Sequence, residues 1–121
     1  FLEKLILEGF DRKKFFLTIK NLKFANDSIK FYIKKNFEEN VTILSQKNVI
    51  ILKENFFLQS NEVVFRSLAA VIKIVGKRYY AVRGKKIDKV IDLINSKSLF
   101  KVTLGGCIIK KVNETVILSK E

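Results

Sequence analysis

Three stretches hold the side chains able to do chemistry: "KRYYAVRGKK" at 77–86, the aspartates Asp88 and Asp92 just after it, and "LGGC" at 104–107. The first is the densest mixture of basic and aromatic residues in the chain. Arginine and lysine neutralise phosphates while tyrosine stacks on bases or bonds to the backbone, so this composition suits an RNA-facing loop. The competing reading has Tyr79 or Tyr80 filling the core. Asp88 and Asp92 have the spacing of a carboxylate pair, but they stand among lysines on a helix that turns Ile87, Val90, Ile91 and Ile94 inward. A solvated helix face explains them better than acid/base catalysis.

The paired glycines of "LGGC" raise the question of a phosphate-binding loop. Such a loop needs a strand before it and a helix N-terminus after it, because free helix N–H groups and the dipole hold the anion. Here the glycines lead into "CIIKKV", a polar "NE" turn and "TVILS", which are strands. Gly105 and Gly106 are therefore read as a backbone bend between strands Lys101–Leu104 and Cys107–Val112, with Thr115–Ser119 after the second turn. They need no ligand.

Several chemistries are excluded by composition. With no histidine and one cysteine, the chain has no Ser/His or Cys/His nucleophile pair, no His-ligated metal site, no internal disulfide and no CxxC motif. We expect no catalytic residue and no metal site. The lone Cys107 fits a reducing cytosol, no apolar run reaches membrane-spanning length, and the first residues lack a signal-peptide plan. The expected location is cytoplasmic. Against 24 Lys+Arg stand 12 Asp+Glu, a net charge of +12 in 121 residues. A field of that sign attracts polyanions, although an AT-rich genome also writes lysine wherever it is tolerated. The chain does not start with Met, which points to a piece of a longer protein.

The elements that must position these residues can be read from periodicity. "FLEKLILEG" reads as a short helix stopped by Gly9, with Asp11 capping a long second helix from Arg12 to Glu39. Phe15, Ile19, Leu22, Ile29 and Ile33 form its core stripe, interrupted by Asn26. Leu17, Phe24 and Phe31 recur every seventh residue on nearly the opposite side. That second stripe is a docking surface for a neighbouring domain or is covered by an element of this chain; both readings stand. Lys13, Lys20, Lys30 and Lys34 between the stripes form a solvated face or a groove contact. "VTILSQKNVIILK" is a hairpin. Ser60 then caps the buried central helix "NEVVFRSLAAVIKIVG", along one edge of which lie Arg66 and Lys73, with Lys77 beyond. For Arg66 an ion pair at the helix edge and a phosphate contact are both open.

The expected fold is α+β: a long N-terminal helix, a β-hairpin, a buried central helix, a further amphipathic helix from Lys85 and a C-terminal antiparallel meander. One domain spans 1–121, with 1–58 and 59–121 as possible sub-lobes.

The ordered set "GFDRKKFFLTIKNLKFANDSI", "FRSLAAVIKIVGKRYYAVRGKKIDKVIDLI" and "VTLGGCIIKKVNETVILSKE" resembles the region after the catalytic domain in the bacterial tRNA(Ile)-lysidine synthetase family. The resemblance runs in order over nearly the whole chain. It implies an accessory tRNA-binding domain of an enzyme that uses ATP to join lysine to the wobble cytidine of a CAU-anticodon isoleucine tRNA. The family's adenylating PP-loop, "SGGxDS" in form, has no counterpart here. ATP and magnesium would therefore belong to a catalytic domain outside this sequence, and the chain alone would be no enzyme. The positions matching the family are Arg66, Gly76, Tyr80, Arg83 and Leu104 to Cys107. RNA contacts are expected first at Arg83, Arg66, Lys77 and Arg78, with Lys73 and Tyr80 beside them, and tRNA(Ile) and the PP-loop domain as partners. The rival reading is a structural module that docks a catalytic domain or second subunit through Leu17, Phe24 and Phe31, its charge incidental.

Overall fold

The computed structural model describes Leu17, Lys20, Asn21 and residues 26–44, 49–76, 84–97 and 99–121. Within them the chain is α+β, as expected. Helix α1 (Asp27–Asn40) leads directly into β1 (Val41–Leu44), followed by β2 (Val49–Leu52), a 3-10 turn (Glu54–Leu58), α2 (Asn61–Gly76), α3 (Gly84–Ser96) and strands β3 (Leu99–Leu104), β4 (Cys107–Val112) and β5 (Thr115–Lys120).

The single long helix expected from Arg12 to Glu39 is corrected: it is not continuous. Asn26 has extended backbone, φ −77° and ψ 169°, and its side-chain oxygen accepts from the Ile29 N–H at 2.9 Å. That bond satisfies a donor which would otherwise lack a partner in the first turn, and Asp27 adds a negative charge at the positive end of the helix dipole. The residue that interrupted the apolar stripe thus starts a new helix. Of that stripe, Ile33 is buried and Ile29 packs against the core, whereas Phe15, Ile19 and Leu22 lie outside the described residues. The initial helix expected at "FLEKLILEG" lies outside them too.

All five strands form one antiparallel sheet in the order β1-β2-β5-β4-β3. Two of its turns are two-residue links. Gly105 (φ 61°) and Gly106 (φ 82°) join β3 to β4, while Asn113 (φ 58°) with Glu114 joins β4 to β5. In the β3–β4 turn both central residues have positive φ, the geometry that matches the twist of paired strands, and glycine reaches it without a Cβ clash. The bend read into "LGGC" is thus a hairpin turn. β3 and β5 each run slightly beyond the expected ends, to Leu99 and Lys120.

β5 pairs with β2 as well as β4, Ile50 opposite Leu118 and Leu52 opposite Val116. The stretches before and after residue 58 therefore share one sheet. They also share one core, in which Ile33 and Phe37 of α1, Leu68 and Ile72 of α2 and Ile87 and Val90 of α3 meet inward residues of every strand. Side chains alternate across a sheet, so burying Ile43, Ile50, Leu118 and Ile109 turns the intervening residues outward. One outward row runs Thr42–Ile51–Ile117–Lys110–Lys101 across the five strands. None of the described helices covers it.

The central helix α2 owes its position to its near-continuous apolar surface, with Leu68, Val71, Ile72 and Val75 fully buried. Removing each such side chain from water contributes about 1.5–3 kcal/mol. The carbonyl of Ser60 accepts the first bond of the helix, from Val64. Buried polar groups tie α2 to its neighbours: Asn36 donates to the Phe56 carbonyl at 3.2 Å and to the Ser67 hydroxyl at 3.4 Å, and Asn40 donates to Asn36 at 2.8 Å.

Candidate nucleic-acid interface

Lys77, Arg78, Tyr80 and Arg83 of the basic, aromatic segment lie outside the described residues. The structure describes the footing on either side of that segment. On the N-terminal side, α2 ends at Gly76 against the β3–β4 turn. A Cβ placed on Gly76 would stand 1.9 Å from the Gly105 carbonyl oxygen and 3.3 Å from Cys107 Sγ. The buried Cys107 thiol donates to the Ile72 carbonyl at 3.2 Å, one turn earlier in the helix. On the C-terminal side, α3 starts at Gly84, where a Cβ would meet the Phe65 ring of α2 at 3.3 Å. Gly76 and Gly84, the described residues that flank 77–83, thus each make a close approach, Gly76 to the backbone of the "LGGC" turn and Gly84 to the Phe65 ring. This is a use of the paired glycines that sequence reasoning missed, because it depends on which helix end the turn meets.

The described RNA candidates divide. Arg66 donates from Nε to the Glu62 carboxylate one turn earlier, with its side chain 23% exposed. Of the two readings open for Arg66, the structure contains the helix-edge ion pair. Lys73 is exposed two turns further along α2 and makes no ion pair among the described residues, so its ammonium is available at the helix end from which the 77–83 segment leaves. Asp88 and Asp92 are both exposed on α3, the solvated face expected. Among the described residues no group of acidic, His or Cys side chains is arranged to hold a metal ion.

Of the docking stripe, Leu17 is 55% and Phe31 61% exposed; Phe24 lies outside the described residues. Tyr32 is also exposed, and its ring meets that of Phe31 edge-on with centroids 5.5 Å apart. A seven-residue repeat could not select Tyr32, but its adjacency to Phe31 on a helix with a narrow buried side was a usable signal. Lys30, at the edge of this area, donates to the Lys20 carbonyl at 3.0 Å. That bond links α1 to the chain that precedes Asn26.

A small cleft of about 180 Å³ lies between the 3-10 turn, the end of α3 and β4, lined by Glu54, Phe57, Ile94, Lys111 and Glu114 among others. Lys111 donates there to the Ile94 carbonyl. A cation at the negative end of a helix dipole is a stabilising arrangement, so its charge is accounted for by the fold. No described helix is long and apolar enough to cross a membrane. Comparison with protein-family models, with curated proteins and with solved structures gives no match to this chain.

Proposed function

We propose that this chain is the accessory tRNA-gripping domain of a lysidine-forming ligase of the bacterial tRNA(Ile)-lysidine synthetase family, acting in the cytoplasm. The observation that carries the reading is the basic segment 77–83 mounted between the close contacts at Gly76 and Gly84, with the exposed ammonium of Lys73 at its base. A segment whose two flanking residues are both fixed in the fold pays a smaller entropy cost on binding a phosphate backbone than a free tail does. A net charge of +12 supplies the long-range attraction. The ordered resemblance over nearly the whole chain supplies the identity of the RNA. In this reading ATP and magnesium act in the catalytic domain of the parent enzyme, and the chain by itself releases no pyrophosphate from ATP in the presence of lysine and tRNA.

The test is binding of a CAU-anticodon tRNA(Ile) transcript, measured by fluorescence anisotropy across a salt series. Arg83→Ala should weaken binding by about 1–3 kcal/mol, whereas Lys53→Ala and Lys120→Ala, each removing the same charge elsewhere, should cost a fraction of that. Equal losses at all three positions, in variants with unchanged thermal unfolding, would mean a diffuse attraction with no site in segment 77–83.

A second reading rests on a different observation, the exposure of Leu17 and Phe31. These side chains would pack on a catalytic domain of the same protein or on a second subunit. Size-exclusion chromatography with light scattering, comparing wild type with Phe31→Ser, distinguishes self-association from a face that awaits another domain.

A further inference from the structure

The outer face of the sheet has a charge arrangement for which the core gives no reason. Lys101 of β3 lies directly opposite Lys110 of β4. A two-residue turn makes Leu104 and Cys107 a hydrogen-bonded pair, and pairs alternate back along the hairpin. Lys101 and Lys110 therefore form a non-hydrogen-bonded pair, the kind in which facing side chains lie closest. Both are exposed, and neither meets a carboxylate among the described residues. Like charges directly opposite on one face destabilise a hairpin. The neighbouring Lys111 shows the contrast, since it points inward and is satisfied by the Ile94 carbonyl.

No relief is available on the sheet itself, because none of the five strands contains Asp or Glu. Next to the pair on the same face are the hydroxyls of Thr103 and, across β4, Ser119, opposite Ile108. Beyond the pair the row continues through Ile117 and Ile51 to Thr42. No aromatic side chain faces outward from any strand; the single strand aromatic, Phe100, packs against the core. Among the described strand residues the face thus offers two adjacent ammonium groups and hydroxyl donors beside aliphatic side chains, with no ring on which a base could stack.

We propose that this outward face is a second RNA-contacting surface, in which the Lys101–Lys110 pair brackets a backbone phosphate and the Thr103 and Ser119 hydroxyls bond to the sugar–phosphate chain. The proposal rests on the RNA reading above. It adds a surface on the side of the sheet away from the helices and specifies its character: contact is to the backbone and independent of base sequence. A phosphate between the lysines removes the repulsion that they exert on each other in the free protein.

Lys101→Glu tests this through two readouts that move in opposite directions. In RNA-free buffer of low salt the variant should unfold at a higher temperature than wild type, because repulsion across the strands becomes attraction. Its affinity for the tRNA transcript should fall by about tenfold or more. The double variant Lys101→Ala/Lys110→Ala should reduce the log–log salt slope by about 0.7–0.9 for each lysine that had neutralised a phosphate, equally for tRNA and for poly-uridine. If wild type binds tRNA, Arg83→Ala weakens it and both sheet variants bind as wild type does, the sheet face is not an RNA surface while the reading of segment 77–83 survives. If wild type binds neither RNA, both fail. A fall in unfolding temperature for Lys101→Glu would refute the repulsion on which the inference stands. Competition by poly-glutamate as strong as that by poly-uridine at equal charge would assign the face to an acidic protein instead and overturn the proposal.

Discussion

Replacing Gly76 by alanine sets two effects of opposite sign against each other. Gly76 is the last residue of α2 and is not in the left-handed region, so helix propensity alone favours alanine by about 1 kcal/mol. The tertiary contact argues the other way. The new Cβ would lie 1.9 Å from the Gly105 carbonyl oxygen, where an ordinary contact starts at 3.4 Å, so helix and turn must part by about 1.5 Å. The oxygen belongs to backbone and the Cβ is held rigidly by its Cα, so neither can rotate aside. Overpacking costs about 1–3 kcal/mol when side chains can adjust, and here the upper end applies, leaving a net destabilisation of about 2 kcal/mol. For a chain of this size that lowers the midpoint of thermal unfolding by roughly 6–10 °C. Chemical denaturation monitored by circular dichroism measures it, the midpoint falling with little change in slope. Adding Cys107→Ala should not rescue the variant, since the thiol at 3.3 Å is the lesser obstacle. A Gly76→Ala protein as stable as wild type, or more stable, would refute the claim that this glycine is present for close approach.

The buried amide network gives a second prediction. Asn36→Leu should cost about 2–3 kcal/mol, because the Phe56 carbonyl and the Asn40 amide lose a buried partner together, and urea titration reads it directly. At the start of α1, Asn26→Ala should cost about 1 kcal/mol, whereas Asn26→Asp should cost little, since a carboxylate can also accept the Ile29 N–H. In the β3–β4 turn, Gly105→Ala should destabilise by about 1 kcal/mol and Gly105→Asn by less, as asparagine tolerates positive φ better. Glu62→Gln releases the Arg66 guanidinium from its ion pair and should change stability by no more than about 0.5 kcal/mol; a larger change in the unfolding midpoint would show that the pair holds the start of α2.

The local features of this protein were legible in its sequence because their causes lie within a few residues. The span Asn61–Gly76 of α2 follows from its near-continuous apolar surface, which ends at Gly76. The Gly105–Gly106 turn is dictated by the need for positive φ between two β-branched runs. Asn26 was visible as a break in the apolar stripe, yet its meaning as a helix start depended on whether its side chain or the preceding turn would satisfy the Ile29 N–H, a balance of about 1 kcal/mol that periodicity does not register. The ion pair of Arg66 was open for the same reason, Glu62 and a phosphate being equally able to satisfy a guanidinium. Only the tertiary structure decided that β2 would pair with β5 across the whole of α2, α3, β3 and β4, that "LGGC" would press against the end of α2, and that Lys101 would face Lys110. Each of these depends on which surfaces meet when the whole core closes. Strand register is set by the sum of burial over many distant residues, and no window of the sequence contains that sum.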